Sequence, residues 1–154
     1  MKISTKGHYA VQALVDIASQ AKNTPVSLGV IAGRQELSQN YLEQLFVKLR
    51  KAKLVTSVRG PGGGYMLSMP AEMISIGDVF GAVEETLIFT ECADGSSHNG
   101  HQCSKAHDCR TQMLWAKLCQ HFNELLSSIT IDDVVNGNID IAQIPTSSAI
   151  GAAR

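Results

Sequence analysis

Six residues near the middle of the chain, Arg59-Gly60-Pro61-Gly62-Gly63-Gly64, constrain its fold more than any other segment. Four glycines and a proline in six positions suit neither a helix interior nor a central strand. The segment is flanked by Val55-Thr56-Ser57-Val58 and Tyr65-Met66-Leu67-Ser68, two β-prone runs, and so reads as the turn of a β-hairpin. A glycine-rich loop can also cradle a nucleotide phosphate. Here no Gly-Lys-Ser/Thr follows, and the segment leads into a strand instead of opening a helix.

Helical spacing precedes the hairpin. Tyr9, Ala10, Ala13, Leu14, Ile17 and Ala18 form one apolar stripe, with Ser4 or Thr5 as its cap, and Asn23-Thr24-Pro25 ends it. Ser27 caps a short second helix whose Leu28, Ile31 and Ala32 face inward. After the turn Glu36-Leu37-Ser38, a third helix buries Leu42, Leu45, Phe46 and Leu49 and leaves Gln39, Asn40, Glu43, Gln44 and Lys48 on or near its other face. Two short helices joined by a three-residue turn suggest helix-turn-helix, and a hairpin after the second of them is a wing.

The net charge of −1 conceals an asymmetry. Residues 1–71 hold nine Lys/Arg against three Asp/Glu, and residues 72–154 hold four against eleven. Between Gln44 and Ala71 there is no acid, while Lys48, Arg50, Lys51, Lys53 and Arg59 are basic. That stretch provides a field suited to phosphates, although a charge run alone is also what a solvated helix face looks like. The wing glycines would allow close backbone approach to a DNA groove, with Arg59 placed for a phosphate or a narrow minor groove.

Residues 76–85 read as a short helix, and residues 90–108 as a polar loop. From Cys109 to Ser128 runs the longest helix, on which Leu114, Leu118, Phe122, Leu125 and Ile129 repeat at three or four positions and Trp115 widens the stripe. So little chain remains to cover this stripe that it is expected to pack on the same helix of a second copy, giving a two-fold dimer. At 154 residues the chain suits one compact core with appendages. The expected fold is mainly α with a small β-hairpin wing. A winged helix-turn-helix spans residues 1–71, a sensor loop and dimerisation helix 72–136, and a disordered tail 137–154. Nothing resembles a secretory leader or a membrane span, so the expectation is a cytoplasmic protein without a membrane partner.

Three of four cysteines, Cys92, Cys103 and Cys109, lie within eighteen residues rich in Gly, Ser, Asn, Asp and His. In a reducing compartment such a set points to metal or redox chemistry. Their gaps of ten and five residues are wide for structural zinc, whose ligands come in close pairs, and suit the larger iron-sulfur cluster better. Spacing alone leaves unmetallated thiols equally open. Cys119, ten helical residues beyond Cys109, is expected to be a packed, inert thiol.

Ser4-Thr5-Lys6-Gly7, Tyr9-Ala10-Val11, Tyr41-Leu42-Glu43-Gln44-Leu45-Phe46, Leu49-Arg50-Lys51 and Ser57-Val58-Arg59-Gly60-Pro61-Gly62-Gly63-Gly64-Tyr65 closely resemble the IscR-type iron-sulfur cluster regulators, which also include NsrR. The similarity continues through Ile76-Gly77-Asp78-Val79, Leu114-Trp115 and Ile129-Thr130, covering about residues 1–136. It implies a homodimer with the third helix in the major groove of a promoter palindrome and the wing at the minor groove. The implied DNA contacts are Ser38, Asn40, Tyr41, Glu43, Gln44, Lys48 and Arg50 on or beside the third helix, and Arg59, Gly62 and Gly63 on the wing. Most relatives carry serine at position 40; asparagine there can pair with adenine or bridge to a phosphate. Taken without the family, Glu43 is an exposed residue paired with a nearby lysine.

The resemblance also implies a [2Fe-2S] cluster on Cys92, Cys103 and Cys109, with [4Fe-4S] or zinc as alternatives. IscR-type proteins place a histidine three residues after the last cysteine, where this chain has Gln112. An amide oxygen is a weak donor to iron. His107 is the first substitute and His8 the second, since NsrR borrows a ligand from the partner's first helix. Cluster occupancy is expected to act through the loop near Glu91 and the dimer helices. Two rival readings remain: a winged-helix regulator sensing zinc or thiol redox state, and an iron-sulfur carrier or partner of assembly proteins. An enzyme is disfavoured, since no nucleophile and base constellation stands outside the cysteine loop.

Overall fold

A computed structural model of the chain describes residues 4–20, 24–85 and 109–139. In order the elements are α1 (Thr5–Ala18), α2 (Leu28–Gln35), α3 (Gln39–Lys51), β1 (Val55–Val58), β2 (Gly64–Leu67), a 3-10 turn (Ala71–Met73), α4 (Ile76–Ala82), α5 (Gln112–Ser128) and α6 (Ile131–Asn136). Helices dominate, and the two strands form one antiparallel hairpin.

Serines start the first three helices. The side chains of Ser4, Ser27 and Ser38 accept from the backbone N–H groups of Lys6, Val30 and Tyr41 at 3.2, 3.3 and 3.3 Å, so each first turn has one of its orphan donors satisfied. Glu36, at φ +53, ends α2 in the left-handed conformation, and its N–H returns to the Ala32 carbonyl. The three-residue turn between α2 and α3 is therefore the one read from the sequence.

One hydrophobic cluster holds these elements together. Ala10, Ala13 and Leu14 of α1, Ile31 of α2, and Leu42, Phe46 and Leu49 of α3 are wholly buried in it, together with Ile74, Val79, Val83 and Ile131. Residues on both sides of position 71 thus share a core. The hairpin pairs Val55 with Leu67 and Val58 with Gly64. Val26 extends it as an isolated bridge, exchanging hydrogen bonds of 2.9 and 2.8 Å with Tyr65.

Two boundaries and one further helix differ from the sequence expectation. α4 stops at Ala82, because Glu84 turns the backbone to φ +57. α5 begins at Gln112 and not at Cys109, with no side-chain cap from Thr111. The chain after α5 forms a further helix, α6, where the sequence reading placed none. Its capping box is reciprocal: the Asp133 N–H donates to Thr130 Oγ1 at 3.1 Å and the Thr130 N–H to Asp133 Oδ2 at 2.8 Å. Gly137, at φ +69, closes it. The expected tail lies outside the described residues from position 140 onward.

The long helix is anchored at one end. The Ile76 N–H donates to the Ile129 carbonyl at 2.8 Å, and the Ile131 N–H to the Ile74 carbonyl at 2.9 Å, which pins the α5–α6 junction beside the start of α4. Leu126 and Ile129 pack against the core. Toward the N-terminus Met113 is 70% and Leu114 53% exposed, and among the seventeen residues of α5 only Cys119 is buried. Of the apolar stripe Leu114 is exposed, while Trp115, Leu118, Phe122 and Leu125 are half-buried among the described residues.

Gly77 permits the contact that anchors α5. A Cβ there would lie 2.7 Å from Ser127 Oγ and 3.3 Å from Ser127 Cα, closer than packed helices tolerate. Gly77→Ala should lower unfolding stability by about 1–3 kcal/mol, read as a lower urea midpoint at unchanged slope. An unchanged midpoint would mean that the α4–α5 contact contributes little to the fold.

Candidate nucleic-acid interface and cysteine centre

Burying Leu42, Leu45, Phe46 and Leu49 turns the opposite side of α3 outward: Asn40, Glu43, Gln44, Arg50 and Lys51 are exposed. Phe46 is wholly buried and its ring lies 4.7 Å from that of Tyr65 at 59°, so α3 and β2 are fixed to one another. Three of the sequence-named contact residues at and near the start of α3 have distinct local settings. Ser38 spends its hydroxyl on the cap. Tyr41 is half-buried, edge-on to Tyr9 at 6.0 Å, with its hydroxyl 3.5 Å from Thr5 Oγ1. Glu43 accepts from Gln39 Nε2 at 3.1 Å, so its neighbour is an amide where the sequence suggested a lysine.

Lys48 is engaged by a residue that the sequence did not single out. Its Nζ lies 2.6 Å from Glu84 Oε2. The Lys48 hydrogen bond, then its charge, hold the Glu84 carboxyl below its ordinary range, with Lys6 and Lys51 adding to the effect. The next residue, Glu85, accepts the Ser4 N–H at 2.9 Å and also meets the Ser4 hydroxyl. Two consecutive glutamates just after α4 thus hold α3 and the start of α1. Partners separated by 36 and 81 positions carry no local sequence signal.

On the wing, Arg59, Gly60, Pro61 and Gly62 are exposed. Gly60 and Gly62 take φ +106 and +75, and the Gly63 N–H closes the turn onto the Gly60 carbonyl at 2.9 Å. A Cβ on Gly63 would meet the Val58 carbonyl oxygen at 2.4 Å, so this backbone needs glycine. Val47, which the sequence reading passed over, is 57% exposed on α3.

Of the expected cluster ligands, Cys92, Cys103 and His107 lie outside the described residues. Among the described residues no three His, Cys, Asp or Glu side chains gather into a metal site. Cys109 is half-buried just ahead of α5. Its carbonyl accepts the Gln112 N–H at 3.2 Å, which places the two residues on one turn. Thr111 Oγ1 lies 3.3 Å from its sulfur. Hydrogen bonds from the Thr111 side chain, then its backbone, then the Gln112 backbone hold the thiol below its ordinary value against the opposing effect of burial. His8 is exposed on α1 with its ring 5.1 Å from Tyr9, and Cys119 is buried as expected.

Comparison with known proteins places this geometry in a group. The profile of the Rrf2 family, described as iron-dependent transcriptional regulator, matches residues 3–137. The HTH-type transcriptional regulator IscR of Vibrio parahaemolyticus is 42% identical over 153 residues, spanning 99% of this chain and 88% of that protein. The structure of IscR from T. potens superimposes with a TM-score of 0.71 at 40% identity, covering 93% of this chain and 91% of that one. That of CymR, the global cysteine regulator of B. subtilis, gives 0.70 at 32% identity, covering 91% and 99%. Among the described residues no helix is long and apolar enough to cross a membrane.

The lowered Cys109 value has a direct readout. A larger thiolate fraction at neutral pH means faster alkylation. In metal-free protein Thr111→Val should raise the thiol toward its ordinary value and slow iodoacetamide labelling of the Cys109 peptide at pH 7, with the difference vanishing at alkaline pH. Equal rates at pH 7 would remove Thr111 as the cause.

Proposed function

Because the chain belongs to the Rrf2 family of iron-dependent transcriptional regulators, we propose that it acts as a homodimer on a promoter palindrome and that an iron-sulfur cluster, of the [2Fe-2S] type, governs that binding. The observation carrying the DNA-binding part is the arrangement of α3. One face is sealed in the core, and the other presents Asn40, Glu43, Gln44 and Arg50 to solvent within a stretch free of acids except Glu43 itself. In this reading α3 enters the major groove, where Asn40 and Glu43 meet base edges and Gln44 and Arg50 lie beside them. Arg59 and the backbone of Gly62 and Gly63 reach the adjoining groove or phosphates. Ser38 and Tyr41 set the start of α3 against α1, and Lys48 contacts phosphate once drawn from Glu84. The exposed Met113 and Leu114 at the start of α5 support the dimer.

Cys109 supports the cluster part, since its hydrogen bonds favour the thiolate that iron requires. Cys92, Cys103 and Cys109 would be its thiolate ligands, and His107 the fourth, with Gln112 and His8 as the alternatives that alanine variants separate. A cluster with one non-thiolate ligand supplies a redox-sensitive, losable centre. The chain's own contribution is mechanical: Glu84 and Glu85, directly before the segment that carries Cys92 and Cys103, grip Lys48 of α3 and Ser4 of α1. A second reading, a regulator sensing thiol or zinc chemistry without a cluster, is favoured by Gln112 at the usual histidine position and by the likeness to CymR.

Anaerobic purification followed by iron, sulfide and zinc analysis separates the two: stoichiometric iron and sulfide with visible charge-transfer bands are expected, and zinc or no metal would select the second reading. Arg59→Ala should weaken binding to a selected palindrome about tenfold and, where the guanidinium pairs a phosphate, flatten the salt dependence by about one unit of slope. Unchanged affinity at every salt concentration would remove Arg59 from the interface.

A further inference from the structure

Val47 is an apolar side chain where the rest of the helix face is polar. It is 57% exposed and belongs neither to the core cluster nor to the partly buried side chains packed on it. Its spacing from Asn40, Glu43, Gln44 and Lys51 is seven, four, three and four residues, so all five share one face of α3. Valine is also less favourable in a helix than the lysine, arginine or glutamine that an exposed site would otherwise accept. A residue that costs helix stability and adds nothing to the core is a local inconsistency of the kind that marks function. Lys48, the long side chain beside it, is held 2.6 Å from Glu84 toward α4 and so does not engage the valine methyls.

A lone apolar group among groove-facing polar residues matches one feature of DNA, the thymine 5-methyl, the only apolar group that the major groove displays. We infer that Val47 is a base-reading residue whose methyls pack on the 5-methyl of one thymine in each half-site. Seven residues of helix place it ~10 Å along the axis from Asn40, which is about three base steps. The inference rests on the proposed entry of α3 into the major groove and adds to it a base preference that hydrogen-bonding residues do not supply.

The test removes the methyl from DNA and leaves the protein intact. A duplex selected by the wild-type chain from a random library is resynthesised with single thymines, in both half-sites, replaced by deoxyuridine, and affinities are read by fluorescence anisotropy. Losing one methyl contact should weaken binding roughly fourfold per half-site at one thymine position and leave the others unchanged. Val47→Ala and Val47→Ser, exposed substitutions with little effect on folding, should bind thymine and deoxyuridine duplexes equally at that position. The inference is overturned if the wild type is indifferent to every replacement, or if the valine variants keep the same methyl dependence. A chain that selects no duplex at all would overturn the DNA-binding reading itself, a separate result.

Discussion

The contact between Phe46 and Tyr65 is the constraint on which the remaining geometry depends. Phe46 is the largest wholly buried side chain among the described residues, and it sits on the inner face of α3. Tyr65 belongs to β2 and is tied on its other side to Val26, just before α2. One aromatic pair therefore sets α3 against the hairpin, and the bridge adds the entry to α2. A groove-reading helix and a wing work as a unit only if their separation is fixed, since a displacement of about one base step would put the wing out of register with the helix. Placing that restraint in the core leaves the outer face of α3 free to vary in chemistry without disturbing the fold.

The second half of the chain is built on the opposite logic. α5 is pinned where Ile129 and Ile131 bridge to Ile76 and Ile74, and where Gly77 lets Ser127 approach. Its other end exposes Met113 and Leu114 beside Cys109. α5 therefore has its C-terminal end held by the shared core and a thiol just ahead of its first turn. The acidic balance of this half keeps it from competing for the phosphates that the basic half attracts.

Much of this was legible in the sequence because its signals are local. Ser4 or Thr5, Ser27 and Ser38 announced three helix starts, the apolar spacing of α3 named its buried face, and the glycine run named the hairpin. What was missed falls into two kinds. α6 had a local signal, Thr130 followed three residues later by Asp133, but its six residues are too few for a periodic stripe to stand out. The Glu84 and Glu85 contacts had none, because pairing across 36 and 81 residues is created by the fold. Val47 was passed over for a different reason: a single valine between Phe46 and Lys48 looks like ordinary composition until its exposure is known.

Glu84 and Glu85 give the two halves a physical connection. A pair such as Lys48–Glu84, between partly exposed partners, is weak and screened by salt, so it cannot lock α3. It can bias a lysine between two anions, the carboxylate and a DNA phosphate. The left-handed backbone at Glu84 adds a modest conformational cost that the surrounding contacts must hold in place. Through these two side chains the backbone just after α4 reaches both α3 and the cap of α1. Coupling of this kind needs only a small free-energy difference between two arrangements, because a tenfold change in DNA affinity corresponds to about 1.4 kcal/mol. In the proposed function this connection adjusts DNA affinity while the core keeps α3 folded.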